Sequence, residues 1–377
     1  MKKIILFQLN QLGYGGTEKA IFTFIKNINR DKYIPKIFFH TDYGTFNYYR
    51  RKILSVLNNK YRKSYDQKYN INFARKNDFE NLVGADHFYF GKKKDFFKLC
   101  NKINIDIIHF NRGDHEDFYT SDIELIPSNI KICETNIFGR ISNAKYMDRL
   151  SAVFFVSQWL MNKSKWSINY NSSVLYNPIV NPKSNYNLRN QFSIPSDAIV
   201  LGRISRPNLD DGLFVSMVLR DIFNTNWRGN IFFLVIGATS IFKESVKDMK
   251  SVIFIEPTID EVALSEFYNT LDILLHYRKE GETFGMNIAE AMIHGKPVVS
   301  HYSHEDNAQA ELLIEGNACG IIVEENNINS YVNSVSTLIN SKINRTKLGE
   351  NAATKAKLLY SEENVTKRLE SLYDNLR

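Results

Sequence analysis

Glu280-Gly281-Glu282-Thr283-Phe284-Gly285-Met286-Asn287-Ile288-Ala289-Glu290-Ala291-Met292 runs on through His294-Gly295-Lys296-Pro297 into the apolar pair Val298-Val299. The spacing predicts a short helix that starts near Gly285 and stops at Gly295, with a strand after Pro297. Backbone N–H groups at a helix start lack intrahelical partners, and the positive end of the helix dipole points the same way. A Gly-rich helix start is therefore a natural anion site. Glu282 stands just before it, and Glu290 lies one turn past Met286 on the same helix face. Two carboxylates flanking one anion site suit a ligand with phosphate in the middle and hydroxyl-rich groups on both sides. Carboxylates accept hydrogen bonds from such hydroxyls, and a nucleotide sugar is a ligand of this kind.

The run from Glu282 to Met292, followed by Gly295-Lys296-Pro297-Val298-Val299, resembles the E-x7-E signature of retaining glycosyltransferases of family 4. That resemblance implies an α/β chain with the GT-B fold, two Rossmann-like domains facing across a cleft. The expected division is an acceptor-side domain at 1–178, a nucleotide-sugar-binding domain at 179–360, and a helix at 361–377 that crosses back to the first domain.

The chain has 377 residues, enough for two domains, and a formal net charge of +7 spread along its length. Such a balance fits anionic ligands such as nucleoside diphosphates, and also nucleic acid or an anionic membrane surface. No nucleic-acid recognition motif is present, so nucleic acid is not expected as a partner. Basic clusters at Arg50-Arg51-Lys52, at Lys60, Arg62 and Lys63, and at Lys92-Lys93-Lys94 would suit peripheral membrane contact or simply solvated helix faces. Cys100, Cys133 and Cys319 lie far apart without metal or disulfide spacing, which points to a reducing compartment. The apolar start, Ile4 to Phe7, is cut short by Gln8 and Asn10, and no run reaches the length of a membrane span. A cytoplasmic protein is expected, with a homodimer left open.

Lys3 to Leu9 reads as a buried strand leading into Gly13-Tyr14-Gly15-Gly16-Thr17-Glu18, after which Ala20, Ile21, Phe24, Ile25 and Ile28 recur at helical spacing. Strand, glycine-rich turn and helix open a nucleotide-binding layer. The Gly15-Gly16-x-Glu18 form resembles the family's first loop, close to donor phosphate and acceptor. Ile105 to Phe110 reads as another strand, ending in a loop that holds Asp114 and His115, which are placed to meet an acceptor. After the strand at Ile130 to Cys133 the family often has a histidine near the donor sugar. Here Glu134 and Asn136 are the polar residues available.

Gly202-Arg203-Ile204-Ser205-Arg206 resembles the family's diphosphate-binding loop. An arginine fork grips phosphate oxygens and stays charged. The family's Lys-Gly a few residues later is replaced by Asp211-Gly212, which leaves Arg206 as the substitute cation. Gly237 closes the next strand at Ile231 to Ile236. His301 and His304 form an H-x-x-H pair without a third convincing ligand, so zinc is not expected.

The resemblance implies transfer of a hexose from a nucleoside-diphosphate sugar to a carbohydrate-bearing acceptor, with retention and without metal or other cofactor. Arg203, Arg206 and Glu282 carry the catalytic expectation. Gly15, Gly16, Gly202, Gly237, Thr283, Phe284, Gly285, Met286, Asn287 and Glu290 carry donor binding, and Asp114, His115 and Asn136 the acceptor side. Family frequency suggests GDP-mannose, with UDP-sugars close behind. The alternatives are a nucleotide-sugar-binding protein without turnover and a nucleotide-sugar epimerase.

Overall fold

The structure is a computed structural model that describes residues 2–13, 15–40, 73–112, 121–205, 212–224 and 230–376. The chain divides into two units, Met1–Pro178 with Val365–Arg377, and Ile179–Asn364. Each is a parallel sheet wrapped by helices.

In the first unit the strands are β1 (Lys3–Leu9), β2 (Tyr33–His40), β3 (Phe88–Gly91), β4 (Ile107–Arg112), β5 (Lys131–Asn136), β6 (Ala152–Phe155) and β7 (Ser172–Val174). Their order is β3-β2-β1-β4-β5-β6-β7, parallel throughout. β1 is apolar almost without interruption because helices cover both of its faces, and Ile5, Leu6 and Phe7 are fully buried. The helix Gly16–Asn27 lays Ala20, Ile21, Phe24 and Ile25 on that core.

The C-terminal helix Glu362–Asp374 adds Val365, Leu369 and Tyr373 to the same core. Each such side chain removed from water contributes about 1.5–3 kcal/mol. The Tyr373 hydroxyl meets His109 Nδ1 at 2.6 Å, and Tyr33 donates to Asp374 Oδ1 at 2.7 Å. His109 Nε2 meets Thr135 Oγ1 at 2.8 Å, so both ring nitrogens of this buried histidine are occupied. Burial pushes its pKa down to about 3. The Lys92 cluster opens the helix Lys93–Lys102, where Asp95 accepts from the Lys92 N–H and Lys93 pairs with Asp122.

The second unit contains β8 (Ile199–Ile204), β9 (Ile231–Ile236), β10 (Val252–Ile255), β11 (Ile273–Leu275), β12 (Gly281–Glu282), β13 (Val298–His301), β14 (Asp306–Asn307) and β15 (Gly320–Val323). The main sheet runs β10-β9-β8-β11-β13-β15, again all parallel, and β12 pairs with β14 as a separate short ladder. The helix Gly212–Asn224 packs Phe214, Val215, Val218 and Leu219 against Phe233, Val235, Ile273 and Leu275. The strand order reverses between β8 and β11. Ligands of open α/β sheets bind beyond the carboxyl ends of strands at such a switch point.

All three cysteines are free and buried. Burial raises the Cys100 thiol to about 12, which keeps it an unreactive apolar filler. Among the described residues no helix is long and apolar enough to cross a membrane.

Candidate functional site

β8 and β11 end side by side in the second unit, and the residues just beyond them form a connected polar cluster. Arg203, only 4% exposed, lies in β8 opposite Val235 and donates through Nη1 to the Tyr277 carbonyl at 3.0 Å. That bond fixes the guanidinium plane against the chain that leaves β11. Tyr277 in turn stacks on Phe214 at 4.0 Å and on His301 at 4.2 Å. Gly202 is interior to the same strand, paired with Leu274 and Leu234. A Cβ there would lie 2.3 Å from Leu271 Cδ2, so this glycine lets the residue that ends the helix Glu261–Thr270 pack closely on the strand.

The quoted stretch forms β12, then a turn, then the helix Met286–Ile293. Gly285 caps the helix at φ 98°, a left-handed conformation that L side chains avoid. Gly281 has φ 72°, and a Cβ on it would meet the Asp306 carbonyl oxygen at 1.7 Å. Both glycines are therefore demanded by the backbone path. Phe284 is buried edge-on against Tyr360 at 5.5 Å, so its ring anchors the turn and only its main chain is left for a ligand. Asn287 donates from Nδ2 to the Ile204 carbonyl at 3.3 Å, tying the helix start to the end of β8. Thr283 and Met286 are half-buried at the same turn.

Both carboxylates of the motif are held from behind. Glu290, 9% exposed, accepts from the Tyr268 hydroxyl at 2.8 Å. Burial first, and the Glu290 charge second, push the Tyr268 hydroxyl far above its ordinary pKa, so it stays a donor. His294 stacks on Tyr268 and bonds the Glu290 carbonyl through Nδ1 at 2.7 Å. Glu282 meets His276 Nε2 at 3.3 Å through Oε1, and its own N–H donates to Gln309 Oε1 at 3.1 Å. Arg278 Nη1 stands 4.0 Å from its other oxygen. Gln309 is fully buried and also donates to the His301 carbonyl at 2.9 Å. Sequence reading missed Tyr268, His276 and Gln309 as supports. Each lies outside the span from Glu282 to Glu290, and only the folded chain brings it there.

His301 and His304 do not form a ligand pair. His301 is buried, accepts from the Arg278 N–H at Nε2 and bonds the Tyr302 carbonyl at Nδ1. Burial, and next the neighbouring His276, lower its pKa to about 4. His304 is exposed and bonds Glu325, which raises its pKa. Among the described residues no cluster of His, Cys, Asp and Glu could hold a metal ion.

Ser205 donates to the Gly237 carbonyl at 3.3 Å, joining the ends of β8 and β9, and Gly237 takes φ 78° there. In the first unit Gly15 caps the helix that begins at Gly16, in an ordinary extended conformation. Asn136 is spent on its own turn. Its amide donates to Glu134 Oε1 at 2.8 Å and to the Arg140 carbonyl at 2.7 Å, while its oxygen accepts from the Gly139 N–H at 2.7 Å. Glu134, fully buried, also accepts from the Tyr146 hydroxyl at 2.7 Å. Arg206, Asp211, Asp114, His115 and the basic residues from 50 to 63 lie outside the described residues.

Solved structures define the class of this architecture. A glycosyltransferase from Rickettsia africae superposes with a TM-score of 0.71 at 17% identity, covering 100% of this chain and 98% of that one. Anabaena HepE, solved in complex with UDP and glucose, gives 0.68 at 14% identity over 99% of this chain and 100% of that one. Sucrose-phosphate synthase from Thermosynechococcus elongatus gives 0.69 at 13%, covering 100% and 99%. The fold is GT-B, as the sequence motif implied. Residues 222–355 match the family model described as Glycosyl transferases group 1, a segment that includes Glu282 and Glu290 but not Arg203. That match supports a glycosyltransferase. No curated protein sequence matches the chain.

Proposed function

We propose that the protein is a retaining, metal-independent hexosyltransferase that works in the cytoplasm and draws its sugar from a nucleoside-diphosphate sugar. The observation that carries this reading is the pair of carboxylates, Glu282 and Glu290, each held by a buried partner on either side of one helix start. Glu282 holds donor-sugar hydroxyls and Glu290 the ribose hydroxyls. The helix start at Phe284-Gly285-Met286 and the guanidinium of Arg203, joined by Arg206, take the diphosphate. In the transfer, the bond from the anomeric carbon to the diphosphate oxygen breaks as the bond to the acceptor oxygen forms on the same face. The acceptor proton passes to the departing diphosphate. Fixed donors aimed at that oxygen stabilise the charge where it develops.

Anabaena HepE is solved with UDP and glucose and with UDP-glucose, which supports including UDP-hexoses beside GDP-mannose in a donor panel. The acceptor is a glycan, a glycoprotein or a lipid-linked sugar. Titration calorimetry with UDP-glucose, UDP-galactose, UDP-N-acetylglucosamine and GDP-mannose tests donor binding, and no binding by any of them ends the reading. Proton NMR of the product reads the anomeric configuration, and inversion overturns retention. Activity lost on adding a chelator overturns metal independence. A donor that binds but is neither hydrolysed nor transferred favours the binding-protein reading, to which Asp211 in place of lysine points.

A further inference from the structure

His276 follows β11 directly and is 2% exposed. Its main chain is pinned at both ends: its N–H donates to the Val299 carbonyl at 2.9 Å, and its carbonyl accepts from the Tyr331 hydroxyl at 2.9 Å. Burial leaves the ring little freedom to turn. Nδ1 lies 2.8 Å from Ser300 Oγ, and Nε2 lies 3.3 Å from Glu282 Oε1. An ionised carboxylate only accepts, and a hydroxyl can donate. In the neutral ring the proton then belongs on Nε2, facing Glu282, while Nδ1 accepts from Ser300. Ser300, His276 and Glu282 form a directed chain in which each hydrogen bond has a donor and an acceptor.

We propose that His276 is the positioning residue of the donor-sugar site, fixing the Glu282 carboxylate by an Nε2–H bond that Ser300 orients. The inference rests on the reading that Glu282 holds donor-sugar hydroxyls. One Glu282 oxygen is held from within the protein by a buried residue. The carboxylate is thereby prepaid in orientation before the sugar arrives. A packing role alone would be met by any flat apolar ring, and would give no reason for a polar partner at each nitrogen.

The test compares His276→Phe, which keeps the ring's shape without a donor, His276→Gln, whose amide restores one, and Glu282→Gln. Each is titrated with the tightest donor of the panel above and with its free nucleoside diphosphate. A hydrogen bond to a charged group is worth about 1.5–3 kcal/mol, roughly a tenfold to hundredfold effect. His276→Phe is expected to weaken the nucleotide sugar at least about tenfold, as Glu282→Gln does. It should leave the free diphosphate within about twofold, and His276→Gln should recover most of the loss. If Glu282→Gln loses sugar affinity and His276→Phe does not, the positioning role falls and the donor reading stands. Should Glu282→Gln itself bind the nucleotide sugar like the wild type, the role given to Glu282 falls first. Long-range nitrogen NMR of histidine-labelled wild-type protein needs no variant to fold. It is expected to show His276 protonated at Nε2 with Nδ1 bare, and the opposite tautomer overturns the inference.

Discussion

The Tyr268 hydroxyl donates to Glu290 Oε2 across 2.8 Å inside the second unit, with the imidazole of His294 stacked on the phenol ring. Removing that hydroxyl leaves a buried carboxylate oxygen without its donor, which costs about 1–3 kcal/mol. Tyr268→Phe is expected to lower the unfolding free energy by that amount, read as a lower urea midpoint at an unchanged slope. It should also weaken nucleotide and nucleotide-sugar binding alike, because Glu290 is assigned to the ribose. Equal losses for the two ligands by calorimetry support that assignment, and a loss confined to the sugar-bearing ligand contradicts it.

Two glycines of the motif differ in what surrounds them. Gly285→Ala incurs a left-handed backbone penalty of about 1–2 kcal/mol, with the new methyl 3.2 Å from Ile288 Cδ1 and Leu312 Cδ1. Gly281→Ala adds a clash at 1.7 Å with the Asp306 backbone, which no rotamer can relieve. The expected order of melting temperatures is wild type, then Gly285→Ala, then Gly281→Ala. Scanning calorimetry that ranks Gly281→Ala level with wild type would contradict this account of the turn.

His109 gives the first unit an acid sensitivity. Its pKa in the folded protein is about 3, against 6.5 for an ordinary histidine. Between those values the unfolded chain binds more protons than the native one, so stability falls as pH drops through this window and is complete above it. The slope approaches about 1.4 kcal/mol per pH unit. His301 adds a similar loss in the second unit down to about pH 4. His109→Gln should unfold at lower denaturant at pH 7 yet lose less stability on going to pH 5, as paired denaturant titrations would show.

Arg203→Lys keeps the charge but gives up the planar fork that is held by the Tyr277 carbonyl. A drop in turnover of about tenfold to a hundredfold, with a smaller change in KM, is the outcome expected of a group that acts on the leaving diphosphate. Unchanged steady-state kinetics would remove Arg203 from the catalytic set.

The fold was legible because buried parallel strands are written as apolar runs. β1 and β9 coincide with the strands expected at Lys3–Leu9 and Ile231–Ile236. The turn at Gly285 could be read from its glycine and the periodic residues after it. By contrast, β7 (Ser172–Val174) carries two serines at the edge of its sheet, where no second neighbour demands an apolar face. The supports of the site were hidden for another reason. Gln309 reaches Glu282 across 27 positions and Tyr268 reaches Glu290 across 22. A hydrogen bond between residues so far apart leaves no local pattern. Asn136 shows the opposite problem: a polar residue after a strand looks available for a ligand, but its partners are residues 134, 139 and 140, which make it a turn.

The pairing of Gly281 with Asp306 and of Glu282 with Asn307 joins two loops into one mechanical part. The chain between Val299 and Ala308 thus acts as a ruler whose length sets where the Glu282 carboxylate stands. Residues added or deleted in that segment would shift the site. Anyone grafting this loop to change sugar preference must move both segments together, as a single cassette.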